Sequence, residues 1–289
     1  MAITQQEVFT ENRRAHDAYA TVHDRVASHI AKPGCRRFYR ALLAEILSRH
    51  QAVVTGRHVL EVGCGTGNWA EYFLEANPAA YEGIDISAGM IEQAQEKLRH
   101  PKAQFRAVSV EDFASRVRGQ QRYELLFSFS FIHHIYDLEL FFRCVSDLLA
   151  PGGLYVTLHE PLVRDFASEK LNLGEILDSL LAALQGWDCP PRPLLQRVGQ
   201  TWGMVTAKFR KPLESTSTHG TNLVDYQIGR GDFCPSTIQS VAHQQGLRCR
   251  VYLYSYYRSA WLRACFGSTK NYFAVVVHRT AQAGAASAP

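Results

Sequence analysis

The spacing of apolar residues changes twice along the chain. Up to about residue 50 they recur at threes and fours, in "HDAYATVHDRVASHI" and "RRFYRALLAEILSRH", which predicts two helices separated at Pro33-Gly34. From Val59 short β-branched runs alternate with amphipathic segments: "HVLEVG" then "TGNWAEYFLEA", "YEGIDI" then "SAGMIEQAQEKLR", "AQFRAVSV" then "EDFASRV", "YELLFSFS" then "DLELFFRCVSDLLA", and "GLYVTLHE". This order predicts parallel strands with helices on both faces. The alternation stops at Pro161. Residues 161–233 hold a leucine-rich helical stretch, the break "DCPPRP", a second helical stretch and the polar loop "ESTSTHGTN", which read as an inserted helical lid. A helix, "PSTIQSVAHQQG", and two strands, "RCRVYLYSYY" and "NYFAVVVHR", then resume the sheet. The expected organisation is α/β: a cap over 1–50, a seven-stranded, mostly parallel core over 51–160 and 234–280, a lid over 161–233 before strand six, and a disordered tail over 281–289.

Composition narrows the class. With 46% hydrophobic and 20% charged residues, the 289-residue chain reads as a soluble globular protein. It has no apolar run of the roughly 18 residues a membrane span needs, and its first residues lack the signal-peptide pattern, so a cytoplasmic location is expected. Its seven cysteines are scattered and never spaced C-x-x-C, which argues against a disulfide framework or zinc knuckle. No histidine and carboxylate cluster has metal-ligand spacing, and no metal is expected. The net charge of +4 comes without a block of lysine or arginine, so no nucleic-acid partner is expected.

The chemistry concentrates in "VLEVGCGTGNWAEYF", where Gly63, Gly65 and Gly67 follow a strand and open a helix. Such a turn brings a ligand against bare backbone at the carboxyl edge of a parallel sheet, where the helix start supplies free N–H groups. A dinucleotide fingerprint would place a small residue at position 68, and Asn68 breaks it. The spacing E-x-G-x-G-x-G resembles the class I S-adenosylmethionine-dependent methyltransferases, chiefly their small-molecule members. The likeness continues through "YEGIDIS", "FRAVSVEDF", "YELLFSFSFIHHI" and "LLAPGGLYVTLHEP", so that it spans Val59 to Pro161. It implies a Rossmann-like fold and S-adenosyl-L-methionine as cofactor, with S-adenosyl-L-homocysteine as product. Glu61 would anchor the methionine end. Asp85, followed by Ile86, would accept from the two ribose hydroxyls, leaving Ser87 to cap the next helix. Ser109, where the family often has Asp, and Val110 would meet the adenine, and Ser128 would line the cofactor near the transferable methyl.

The resemblance implies methyl transfer to a small or medium-sized organic acceptor. An O-directed reaction is preferred because histidine suits a general base near neutral pH. His133 and His134 are the first candidates, followed by His159 and by His219 in the lid. Tyr19 resembles a tyrosine that family members place over the methionine portion. The aromatic run over 252–266 reads as sheet-edge core or as a surface for a lipid-like acceptor. "FSFSFIHH" stands where base-directed members carry N-P-P-[YF], which disfavours nucleic-acid methylation. An N- or C-directed enzyme of the same fold, a silent binding protein and an NAD-dependent oxidoreductase are the rival readings. The acceptor's identity and the oligomeric state stay open.

Overall fold

The computed structural model describes residues 3–27, 32–119, 122–162, 177–178, 181, 223–230, 233–257, 259–266 and 270–279. Most of the expected lid, His219 and the tail over 281–289 lie outside them.

The chain opens with α1, Gln5–Tyr19, fixed by a capping box that the periodicity alone does not reveal. Thr4 Oγ1 accepts from the Glu7 N–H while the Glu7 carboxylate accepts from the Thr4 N–H at 2.7 Å, so two otherwise orphaned donors are satisfied. A short helix α2, His23–Val26, follows, and then a helix over Pro33–Arg49. Three described helices therefore precede the sheet, where two were expected. Pro33-Gly34 opens the last of them, because the fixed φ of proline suits the first helical turn and its missing N–H is not needed there.

Seven strands form one sheet: β1 His58–Val62, β2 Ala80–Asp85, β3 Ala103–Ala107, β4 Tyr123–Phe129, β5 Leu149–Pro161, β6 Leu247–Tyr254 and β7 Tyr272–Arg279. Their order is β3-β2-β1-β4-β5-β7-β6. The first five strands are parallel, and β7 runs antiparallel to both neighbours. The chain steps outward from β1 to β3, then returns to start again at β4. That reversal leaves a crevice at the carboxyl ends of β1 and β4, the usual ligand position in such sheets.

The period-two alternation sorts side chains onto two faces. Leu125, Phe127 and Phe129 of β4 pack with Tyr39, Leu43 and Ile46 of the helix Pro33–Arg49. Leu126, and Tyr123 beyond a register shift between Tyr123 and Leu125, face the helices Val110–Val117, Leu138–Leu148 and Pro235–Gln244. Each fully buried aromatic or aliphatic side chain contributes roughly 1.5–3 kcal/mol, and Phe73, Phe127, Phe141, Phe142 and Phe273 all have no solvent exposure. Both layers are therefore anchored by the sheet, and the strand ends are held in fixed relation.

The aromatic run at the sheet edge packs largely as core. Tyr254, Tyr256 and Tyr257 are buried, and Trp261, on the helix Ala260–Phe266, is 63% exposed, so the run over 252–266 is core with a single large aromatic in solvent. No helix among the described residues is long and apolar enough to cross a membrane.

Candidate active site

A cleft opens at the strand reversal, walled by Glu61, Gly63 and Gly65 after β1, Asp85 and Ile86 after β2, Val110 and Glu111 after β3, and Phe129, Ser130 and Phe131 after β4. Asn12 and His16 of α1, His23 of α2, Trp69 and His134 complete it.

The glycine turn is held by sterics and by a carboxylate. At Gly63, φ is +69°, and a Cβ would come within 2.2 Å of the Phe131 ring, so no side chain fits. At Gly65, φ is +51° and a Cβ would meet nothing within 4 Å; the space beside this backbone belongs to the cleft. Gly67 instead packs against Phe105 and Ala94, outside the cleft. Asp85 accepts from the Gly65 N–H and from the Ser87 N–H, each at 2.9 Å. Burial pushes its carboxyl above the usual carboxylate range, and those two N–H donors oppose the rise. Ser87 caps the helix Ala88–Lys97 through the Met90 N–H, as expected.

Glu61 is almost completely buried and accepts from the Tyr81 hydroxyl. Burial pushes its carboxyl up to about 8, with the nearby Asp85 adding to the rise. Ser109 does not reach the cleft. Its hydroxyl accepts from the Asp112 N–H at 3.1 Å as the cap of the helix Val110–Val117, and it is Val110 and Glu111 that line the wall. Ser128 is fully buried, sharing a 2.7 Å hydrogen bond with the Tyr155 hydroxyl behind the wall. Strand alternation explains this: Phe127 and Phe129 take the other face.

The N-terminal cap is tied to the loops after β1 and β2 by two carboxylates. Asp17 accepts from the Ser87 hydroxyl at 2.6 Å and from the Gly89 N–H at 3.0 Å. Asp24 accepts from Thr66 Oγ1, Asn68 Nδ2 and Lys97 Nζ at 2.5, 2.8 and 2.8 Å. Burial raises the Asp24 carboxyl, but hydrogen bonds from His23, Lys97, Thr66 and Asn68 outweigh it and hold the group well below its ordinary range. Asn68, which breaks the dinucleotide fingerprint, is thus a strut between loop and cap. Tyr19 sits edge-on to His23 and is not part of the cleft wall, which Asn12, His16 and His23 form instead.

Across the cleft, His133 and His134 occupy a 3-10 turn, Ile132–His134, rather than the next helix, which starts at Leu138. His134 forms the wall, and its Nδ1 lies 2.5 Å from the Val224 carbonyl, which fixes the proton there. Burial, with His133 and His16 adding, holds its imidazole well below the ordinary value, so it stays neutral. His133 lies directly behind, ring centroids 4.1 Å apart, with Nδ1 2.8 Å from Glu160 Oε2.

Glu160 is the residue that motif reasoning missed. It has no solvent exposure, and its carboxylate accepts from the Phe131 and Ile132 N–H groups at 3.0 Å each, from Thr157 Oγ1 at 2.9 Å and from His133. Burial alone would raise its carboxyl; His133 and those N–H groups reverse the shift and hold it below the usual range. A β-bulge aims it. The β5–β7 register slips between Thr157 and Glu160, and His159 takes φ +64°, which returns Glu160 to the face of Thr157. His159 itself is stacked between Phe129 and Tyr272, and is a packing residue. The signal available in sequence was an acidic residue closing a strand otherwise fully buried, "GLYVTLHE".

The fold also gathers ligand-type atoms of His133, His134 and Asp225 within 4.8 Å of one another, although sequence spacing offered no such set. The His134 nitrogen that contacts Val224 carries a proton and so has no lone pair for a metal.

Comparison with known proteins agrees with this geometry. The profile of a family described as "Methyltransferase domain" matches residues 30–208. The chain is 27% identical over 191 residues to a polyketide synthase-nonribosomal peptide synthetase, pyiS, of Pyricularia grisea, covering 64% of this chain and 4% of that protein. It is 30% identical over 165 residues to a malonyl-[acyl-carrier protein] O-methyltransferase of Chlorobium luteolum, covering 55% of this chain and 58% of that one. In each case the chain spans less than two thirds of the relative's own length. Among solved structures, the N-methyltransferase NodS of Bradyrhizobium japonicum, in complex with S-adenosyl-l-homocysteine, aligns with a TM-score of 0.52 at 14% identity, covering 93% of this chain and 98% of that one; this likeness concerns the fold.

Proposed function

This chain belongs to the methyltransferase-domain family, and from that premise we propose that it methylates a weakly acidic group of a small or medium-sized biosynthetic intermediate, using S-adenosyl-L-methionine. One observation carries the reading: a single cleft has the carboxyl groups of Glu61, Asp85 and Glu111 along one side and His134 at its other end, with the Glu160-bonded His133 directly behind it. Bound S-adenosyl-L-methionine would supply an electrophilic methyl.

The residues fit that cofactor. Open space beside Gly65 admits a ligand to bare backbone, Asp85 turns a half-buried carboxylate to the same wall, and Glu111 leaves a buried acceptor oxygen unpaired. Asp85 would accept from the ribose hydroxyls, Glu61 would hold the methionine end, and Ile86 and Val110 would flank the adenine.

The chain's own chemistry is proton removal. Glu160 fixes the proton of His133 on Nδ1, which leaves Nε2 with a lone pair on the side of Asp225. Nε2 of His133 takes the proton of an acceptor that reaches past the His134 wall, and the Glu160 carboxylate stabilises the imidazolium that forms, as in the acid-histidine pairs of hydrolases. His134, held neutral, shapes the wall. A carboxylic acceptor is already ionised at neutral pH and needs no base, so the pair favours a phenolic or enolic hydroxyl. A carbon acid between two carbonyls is the second reading, favoured by the same pair, since its proton also needs a base.

The test is transfer of labelled methyl from S-adenosyl-L-methionine to matched phenols, 1,3-dicarbonyl compounds, aliphatic carboxylates and amines. Label on oxygen of the phenols or enols, or on carbon of the dicarbonyls, is expected. Label confined to amines or carboxylates would contradict the assignment.

A further inference from the structure

The buried face of α1 holds Val8 and Asn12, so an amide stands where an apolar side chain would serve packing. Asn12 is 3% exposed and forms part of the cleft wall. Both protons of its amide are committed within the protein: Nδ2 donates to the Val8 carbonyl one turn back at 3.0 Å and to the Leu223 carbonyl at 3.1 Å. Two carbonyl partners also settle which way the amide points, because its oxygen could bond to neither. Oδ1 is left buried, with no hydrogen-bond partner among the described residues. A buried acceptor without a donor is costly, so its place in the wall of a ligand cleft points to a donor on the ligand.

Asn12 belongs to the histidine end of the cleft. The Leu223 carbonyl that it holds is followed by the Val224 carbonyl, which lies 2.5 Å from Nδ1 of His134. One turn further along α1, the His16 ring meets the His134 ring edge-on, centroids 5.4 Å apart. Glu61 and Asp85, to which the cofactor is assigned above, stand on β1 and β2 instead. The ligand group beside Asn12 is therefore the methyl acceptor. We propose that Asn12 Oδ1 accepts a hydrogen bond from a second O–H or N–H of the acceptor, one that is not methylated, so that the site selects phenols or enols with two donors over those with one. Held there, the acceptor turns its other hydroxyl toward His133. This assignment deepens the phenolic or enolic reading above and rests on it.

The test is methyl transfer by the full chain to 1,2- and 1,3-dihydroxynaphthalene and to the same naphthols with the second hydroxyl replaced by methyl, alongside calorimetric titration with S-adenosyl-L-homocysteine. The wild-type protein is expected to favour at least one dihydroxy compound over its methyl analogue by about tenfold or more in kcat/KM, because the analogue leaves Oδ1 unpaired. In Asn12→Leu, which removes the acceptor atom at similar size, that ratio is expected to fall to near one while S-adenosyl-L-homocysteine binds as in the wild type. Ratios near one for both pairs in the wild type, or an unchanged ratio in a folded Asn12→Leu, would overturn the assignment and leave the phenolic reading standing. A loss of S-adenosyl-L-homocysteine affinity as large as the loss of preference would put Asn12 on the cofactor's ammonium group and would overturn it too. Transfer to no phenol of either series would overturn the phenolic reading and this assignment together. Should Asn12→Leu fail to fold by circular dichroism, Asn12→Ala takes its place with the same expectations, and if neither folds the wild-type ratio decides alone.

Discussion

The two halves of the cleft are built on opposite logics. On the β1–β3 side, glycines and strand-end carboxyl groups come from one continuous stretch, residues 61–111, and line the cleft. On the β4–β5 side, histidines 133 and 134 depend on Glu160 and Val224, 27 and 90 positions away, and their polar atoms are largely satisfied within the protein. The first half keeps a buried acceptor, Glu111 Oε2, without a partner among the described residues; the second has its imidazole Nδ1 atoms bonded within the protein. Binding and chemistry should therefore be separable by mutation.

The largest effect is expected on the second half. His133→Ala should lower turnover by about 10²–10⁴-fold, the usual range for a lost general base, while the dissociation constant for S-adenosyl-L-homocysteine stays within a few-fold. Glu160→Gln should lower turnover in the same direction and move the acidic limb of the pH-rate profile to lower pH, because the imidazolium loses its carboxylate partner. A proportional loss of cofactor affinity in either would dissolve the distinction between the halves.

Next comes Asp85→Ala. It removes the acceptor of both the Gly65 and Ser87 N–H groups as well as the proposed ribose contact, and should weaken S-adenosyl-L-homocysteine by about 100-fold. Calorimetry measures it, and an unchanged constant would remove Asp85 from the cofactor site. Gly63→Ala should produce a comparable loss by a different route, because the added methyl displaces Phe131.

A smaller effect should follow from Asp24→Asn, which weakens the tie between cap and glycine loop. Loss of an ionic partner for Lys97 in a half-exposed site should cost about 1 kcal/mol or less. Limited proteolysis between α1 and the helix Pro33–Arg49 should accelerate, with little change in turnover at saturating cofactor. Equal cleavage rates would mean the cap does not depend on this tie.

The smallest lies far from both halves. Nδ1 of His50 and Nε2 of His278 are 2.6 Å apart, and burial first, then neighbouring charges, lowers both imidazoles from their ordinary value. A lowered folded-state value means that the unfolded chain takes up protons first on acidification. The stability these groups contribute is thus complete above pH about 6.5 and declines as pH falls toward their folded values, levelling off below them. Urea midpoints between pH 8 and 5 should show a shallow decline that His278→Gln reduces.

The same contrast explains what the sequence discloses. Gly63, Gly65, Glu61 and Asp85 are legible because close backbone approach and strand-end carboxylates leave a local spacing. The seven strands are legible because both sheet faces are packed, so each appears as an apolar run between helices. Ser128 was misplaced by one step of the pleat, which spacing alone does not fix. Glu160 was hidden because a bulge at His159 sets its direction, and a bulge is a property of pairing between strands far apart in the chain. Ser109 stands outside the cleft because a serine at a helix start can either cap or contact a ligand, and here it caps. The third N-terminal helix was missed because Thr4 and Glu7 act through a cap, outside the apolar period.

The most direct test is a crystal structure with S-adenosyl-L-homocysteine. The account predicts the ribose hydroxyls on Asp85 and the sulfur facing His134. Ligand bound elsewhere, or lying in the cleft with its ribose away from Asp85, would contradict it.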